Sequence, residues 1–124
     1  MKRDMDLIRT ILVQVEERNE TDMDDLLPDS EARARYGYHV QMLVDEGFLD
    51  GVDASSMDGP AWLNLELKWR GHEFLSTLRD PTVWEKTKAV AGKAGGGGVQ
   101  IMLEIGKTII TEAAKEQLKK IGLG

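Results

Sequence analysis

A chain of 124 residues suits one hydrophobic core, since fewer than about 150 residues rarely bury enough surface for two. Hydrophobic residues make up 41% and charged residues 31%; no apolar run approaches the ~20 residues that a bilayer span needs, which excludes a membrane-spanning role. Cysteine is absent, so disulfides, thiolate metal sites and cysteine nucleophiles are excluded together, as suits a reducing compartment.

The opening MKRDMDLI turns acidic where a secretory leader would be apolar, which predicts a cytoplasmic protein. The net charge of −6 is uneven: residues 1–50 hold six Lys and Arg against thirteen Asp and Glu, residues 51–98 balance at six each, and residues 99–124 hold four against three. Phosphate recognition draws on clustered cations, and the acidic first half points away from it.

In chain order, residues 3–18 place Met5, Ile8, Ile11, Leu12 and Val15 at three- and four-residue intervals, the signature of an amphipathic helix, ended by Asn19 and Glu20. Thr21 and Asp24 have the spacing of a weak capping box for a short helix over 22–27. A short strand through 23–27 is the competing reading. Pro28 biases Leu27 away from helical geometry, and Ser30 is a suitable cap for the next helix. From Glu31 to Glu46, Ala32, Tyr36, Val40, Leu43 and Val44 share one side, and Gly47 supplies a left-handed stop.

The opposite side of that helix carries Glu31, Ala34, Tyr38, Gln41, Met42 and Asp45. A helix lying in a major groove needs donors and cations, yet this line shows carboxylates, with Arg33 and Arg35 only at its margins. Tyr38 and Met42, beside Gln41 and Asp45, suit a protein contact better. As exposed side chains with no partner they would also be unexceptional.

Residues 48–53 and 62–69 read as strands. Leu63, Leu65, Leu67 and Trp69 alternate with Asn64, Glu66 and Lys68, which predicts one buried face, and Ser55, Ser56, Asp58, Gly59 and Pro60 make the turn. Phe74, Leu75 and Leu78 mark the inner side of a following helix. Asp80-Pro81 restarts it, aspartate as N-cap and proline at the first position, with Val83 and Trp84 facing inward.

The run Ala94–Gly98 reads as a flexible linker; no Lys-Ser or Lys-Thr follows to make a phosphate loop. Residues 99–121 form a last helix on which Val99, Met102, Leu103, Ile105, Ile109, Ile110, Ala113, Ala114, Leu118 and Ile121 cover roughly 220°, well above the ~100° stripe of a surface helix. One neighbour cannot cover that arc. The expectation is a homodimer built on Met102, Ile105, Ile109, Ile110 and Ala113; burial within one compact monomer is the alternative.

Chemistry is sparse. His39 and His72 have no metal-type partner at short spacing and read as structural histidines. Ser55 and Ser56 lie in a loop without an elbow motif, and Asp24-Asp25 and Asp45-Glu46 read as solvated charge. The expectation is no enzyme, no cofactor and no metal.

The segments MKRDMDLIR, YHVQMLVDEGFLDG and above all LKWRGHEFLSTLRDPTVWEKTK resemble the domain-of-unknown-function family 2513, small winged-helix-like proteins of bacteria, phages and mobile elements. The likeness covers nearly all of residues 1–93, with Trp69, Gly71, His72, Glu73, Phe74, Leu75, Arg79, Asp80, Thr82, Val83 and Trp84 at the matching positions. It brings no activity with it. At that junction Trp69 and Trp84 are candidates to pack, and His72 or Arg79 to meet carboxylates.

The expected architecture is mostly α with a small antiparallel β-hairpin: a winged helix over 1–94, a glycine linker over 95–98 and a C-terminal helix over 99–124. The expected role is a protein-binding regulatory or adaptor module. A DNA-binding regulator using Arg33, Arg35, Lys68 and Arg70, and an acidic inhibitor of a nucleic-acid enzyme, are the alternatives.

Overall fold

A computed structural model describes residues 3–18, 21–27, 30–93 and 98–122. The chain is mostly helical with one two-stranded antiparallel hairpin: α1 Met5–Arg18, α2 Met23–Leu26, a 3-10 turn Ser30–Ala32, α3 Arg33–Asp45, β1 Leu49–Asp53, β2 Trp62–Leu67, α4 Trp69–Leu78, α5 Pro81–Lys93 and α6 Val99–Lys120. It divides into two compact units, Met1–Leu75 and Ser76–Gly124. The breaks expected at Asn19–Glu20 and Pro28, and most of the glycine linker, lie outside the described residues.

In the first unit α1 packs on α3 and β2, α2 on β2, and α3 on β1. Leu7, Ile8, Ile11, Leu12 and Val15 of α1 are buried, as are Tyr36, Val40 and Leu43 of α3, so the three- and four-residue spacing becomes a packed seam. Phe48 and Phe74 are fully buried and meet edge to face, with ring centroids 6.1 Å apart, a preferred aromatic arrangement. His39, read from the sequence as a structural histidine, is entirely enclosed.

α3 stops through a Schellman motif. The N–H of Phe48 donates to the Leu43 carbonyl at 2.9 Å and that of Gly47 to the Val44 carbonyl at 3.1 Å, while Gly47 takes the left-handed φ of +84° that costs glycine nothing.

Two expectations need correction. The short helix is capped by Asp22, not Thr21: the Thr21 backbone is bridged to Leu65 of β2, with N–H···O distances of 3.3 and 2.7 Å, so it is held extended. Asp25, not Asp24, then reaches back to the Asp22 N–H at 3.3 Å. Met23–Leu26 is helical, against the strand alternative, and Thr21 before it makes a backbone bridge to the hairpin.

The second concerns the hairpin. Asp50 pairs with Glu66 but Val52 with Leu63, so a bulge interrupts the ladder, and Asn64 sits at φ +54°. An extra residue in left-handed geometry shifts the period-two phase. Trp62 and Leu65 are buried, Leu63 faces out, and Trp69 leaves the strand altogether to open α4, 80% exposed. The expected common face of Leu63, Leu65, Leu67 and Trp69 does not form.

In the second unit the Asp80 carboxylate accepts from the N–H groups of Thr82 and Val83 at 2.8 and 3.1 Å, capping α5 with Pro81 at its first position as the sequence predicts. α5 packs on α6. Trp84, Thr87 and Ala91 are buried on one and Val99, Met102, Leu103 and Gly106 on the other.

Candidate functional site

The outward side of α3 gathers Tyr38, Gln41, Met42 and Asp45, and adds Glu46, around an open depression of about 320 Å³. Tyr38 is 39% exposed and stands edge-on to the His39 ring at 5.2 Å; the buried imidazole thereby fixes one side of the phenol. Gln41 donates to Asp45 at 2.8 Å. Tyr38, Met42 and Glu46 form one row at four-residue spacing, adjacent side chains on a helix surface. Glu46 was missed in the sequence because the helix was read as ending there, although that spacing already carried the signal.

Asp45 and Glu46 stand at the carbonyl end of α3, where the helix dipole is negative; the last turn has no basic residue of its own, and Arg70 donates to the Glu46 carbonyl there. The depression is therefore aromatic and thioether on one side and anionic on the other. Its chemistry is recognition of a cation carried on an apolar stem.

The candidate nucleic-acid cations are largely engaged within the chain. Arg33 pairs with Asp24 at 2.7 Å and donates to the Pro60 carbonyl at 3.0 Å. Arg35 pairs with Asp4. Arg70 donates to the Glu46 carbonyl and lies 4.5 Å from the Phe48 ring centroid, while Lys68 is exposed. The four are not brought together as a phosphate-binding patch. The hairpin tip is likewise built for its turn: Ser55 Oγ accepts from the Ala61 N–H at 3.1 Å and Ser56 Oγ from the Asp58 N–H at 3.2 Å. The Ser55 hydroxyl, and then its N–H, hold the Asp53 carboxyl below its usual value.

Asp24 and Asp25 serve Arg33 and the start of α2. His72 joins Val15, Glu16, Glu66 and Leu67 around a second depression of about 120 Å³. Among the described residues no three His, Asp or Glu side chains are grouped to hold a metal ion, and no helix is long and apolar enough to cross a membrane.

The five positions expected to pair two copies fall into two sets. Met102 is 2% exposed and spent within its own chain. Ile105 and Ile109 are half-buried and, with Val90, Glu104 and Thr108, line an apolar groove of about 290 Å³ between α5 and α6. Ile110 and Ala113 are exposed, and so is every described residue of α6 beyond them. Val90 was not foreseen, although it stands seven residues after Val83 on the same side of α5.

The fold and this face define a small, mostly helical protein with an open depression on its third helix. The family model described as "Hypothetical protein (DUF2513)" matches residues 2–97, and the chain belongs to that family. A relative from Haemophilus influenzae, described as "Uncharacterized protein", is 32% identical over 116 residues, covering 90% of this chain and 98% of the relative; that likeness therefore runs past residue 97 into α6. No solved structure matches the chain.

Proposed function

We propose that the chain is a non-enzymatic winged-helix adaptor of a bacterial or phage regulatory system, acting in the cytoplasm, that self-associates through α6 and offers α3 to a protein partner. The order α1, a bridge at Thr21, α2, α3 and a hairpin supports the winged-helix reading: Thr21 pairing with Leu65 supplies the short third strand that such a domain places between its first two helices. Fold alone assigns no role.

The observation that carries the role is the depression of Tyr38, Gln41, Met42, Asp45 and Glu46 on the helix that a DNA-binding winged helix would insert into a groove. Carboxylates face outward there while Arg33, Arg35 and Arg70 are engaged within the chain. Self-association draws support from the apolar groove at Ile105 and Ile109 and from the exposed Ile101 and Ile110 on the same helix.

Sedimentation of the full chain beside an Ile105→Glu/Ile109→Glu variant tests assembly. A concentration-dependent dimer that the variant abolishes is expected; monomers in both at high concentration defeat it. Binding to mixed duplex DNA across a salt series separates the alternatives, because phosphate contacts give a steep negative slope. Tight, salt-sensitive binding replaces the adaptor with a DNA-binding regulator.

A further inference from the structure

The two units differ in charge as well as in position along the chain. Residues 1–75 hold eight Lys and Arg against seventeen Asp and Glu, a net −9, whereas residues 76–124 hold eight against five, a net +3. Within the first unit, the α3 depression sets Asp45 and Glu46 beside the open side chains of Tyr38 and Met42. Arg70 donates to the Glu46 backbone carbonyl, so one cation stands at the edge of a face that carries two carboxylates.

The end of α6 carries a small excess of cations: residues 111–122 hold Lys115, Lys119 and Lys120 against Glu112 and Glu116. From Thr111 to Gly122 every residue is exposed. α6 has 22 residues to the 13 of α5, so at ~1.5 Å per residue it is about 14 Å longer than the helix it packs on. On this exposed length Lys115, Leu118 and Lys119 share one side, with Lys120 and Ile121 next to it. Lys115 is paired with Glu112 at 3.6 Å. Leu118 and Ile121 are 43% and 65% exposed.

We infer that the occupant of the α3 depression is the end of α6 from a second copy of this chain, with the Lys119 ammonium against Asp45 and Glu46 and Leu118 against Tyr38 and Met42. The match is of sign and of shape. An ammonium is favoured by two carboxylates at a helix C-terminus and by the face of a tyrosine ring, and its apolar neighbour fills the space beside an adaptable thioether. In a two-fold dimer each copy gives an α6 end and receives one, which uses both contacts. The inference rests on the self-association proposed above and names the protein partner of the α3 face as a second copy of this chain.

The absence of cysteine makes the test clean. Full-length Met42→Cys and Leu118→Cys proteins are mixed and oxidised; a disulfide requires Cα atoms about 4.4–6.8 Å apart, so a two-chain product confined to the mixture is expected. In parallel, Asp45→Lys/Glu46→Lys and Lys119→Glu/Lys120→Glu proteins are sedimented alone and together, with circular dichroism as the check on folding. Each alone dimerises at least tenfold more weakly than the natural chain, and mixing the two restores the natural affinity.

A natural chain that dimerises while both reversed proteins dimerise equally well overturns this inference and leaves self-association standing. A crosslink formed within one chain carrying both cysteines, and none between chains, overturns it as well. A natural chain that stays monomeric removes the self-association and this contact with it.

Discussion

The backbone N–H of Asp4 donates to Nε2 of His39 at 2.8 Å, across 35 residues of sequence. The other ring nitrogen, Nδ1, lies 2.7 Å from the Arg35 carbonyl. Because Nε2 accepts, the proton is on Nδ1, and a neutral imidazole spans the start of α1 and the first turn of α3. With both nitrogens used and no exposed surface, the ring is a strut, and it also supports the Tyr38 phenol of the candidate face. His39→Ala removes two buried hydrogen bonds and opens a cavity, and should cost about 2–4 kcal/mol. Arg35→Ala breaks the solvent-facing ion pair with Asp4 and should cost no more than about 1 kcal/mol. Urea denaturation of both variants checks the contrast; equal losses would contradict the strut.

Gly37 sits where α3 meets the hairpin loop: a Cβ there would lie 2.3 Å from both Cβ and Cγ of Pro60. No carbon tolerates that approach, and the proline ring has little freedom to turn away. Gly37→Ala gains about 0.5–1 kcal/mol of helix propensity but forces the loop to move, at about 1–3 kcal/mol, so the net effect is destabilising. Pro60→Gly should return much of the loss. A double-mutant cycle reads this as a coupling of about 1 kcal/mol or more between the two positions; strict additivity would show that the loop does not bear on the helix.

Two of the three tryptophans separate by environment. Trp84 is 3% exposed and Trp69 80%. Trp84→Ala should cost about 3–5 kcal/mol, whereas Trp69→Ser should change stability by less than about 0.5 kcal/mol. Thermal or urea unfolding followed by circular dichroism decides, since the fluorophores themselves are being removed. A large loss from Trp69→Ser would mean that its side chain is covered in solution.

Most of the helices were legible because burial here follows a three- and four-residue period: Ile8, Ile11 and Leu12, then Tyr36, Val40 and Leu43, are apolar in sequence and buried in the fold. Local chemistry was legible where one residue type dominates, as with Gly47 closing α3 and Asp80-Pro81 opening α5. The hairpin face was not. Alternation at Leu63, Leu65, Leu67 and Trp69 assumes an unbroken ladder, and a left-handed Asn64 opposite Gly51 is a tertiary event: the Asn64 N–H is bound by Asp22 at 3.0 Å, 42 residues earlier. The α3 face was readable as one side of a helix, but its being a depression depends on side-chain placement that no spacing gives. The tail was half legible. Arc counting found too much apolar surface on residues 99–121, yet it treated all of it as equivalent, whereas Met102 is consumed by the chain itself and Ile110 is not.

Gly106 shows how a residue with no obvious role in the sequence fixes helix packing. It is buried in α6, and a Cβ there would fall 2.4 Å from Cδ2 of Leu78 and 3.0 Å from Cγ2 of Thr77. Leu78 has no exposed surface, so its methyl group has nowhere to go without disturbing the packing around it. Glycine inside a 22-residue helix sacrifices about 0.8–1 kcal/mol of helix propensity relative to alanine, and close approach to Leu78 is what it gains. Gly106→Ala should therefore destabilise by about 1–2 kcal/mol net, the overpacking of about 1–3 kcal/mol outweighing the propensity gain. Combining it with Leu78→Val, which withdraws the obstructing carbon, should cost less than the sum of the two single changes. Thermal melts of the full chain read this, and a Gly106→Ala variant that melts higher than the natural protein would show that α6 does not ride against Leu78.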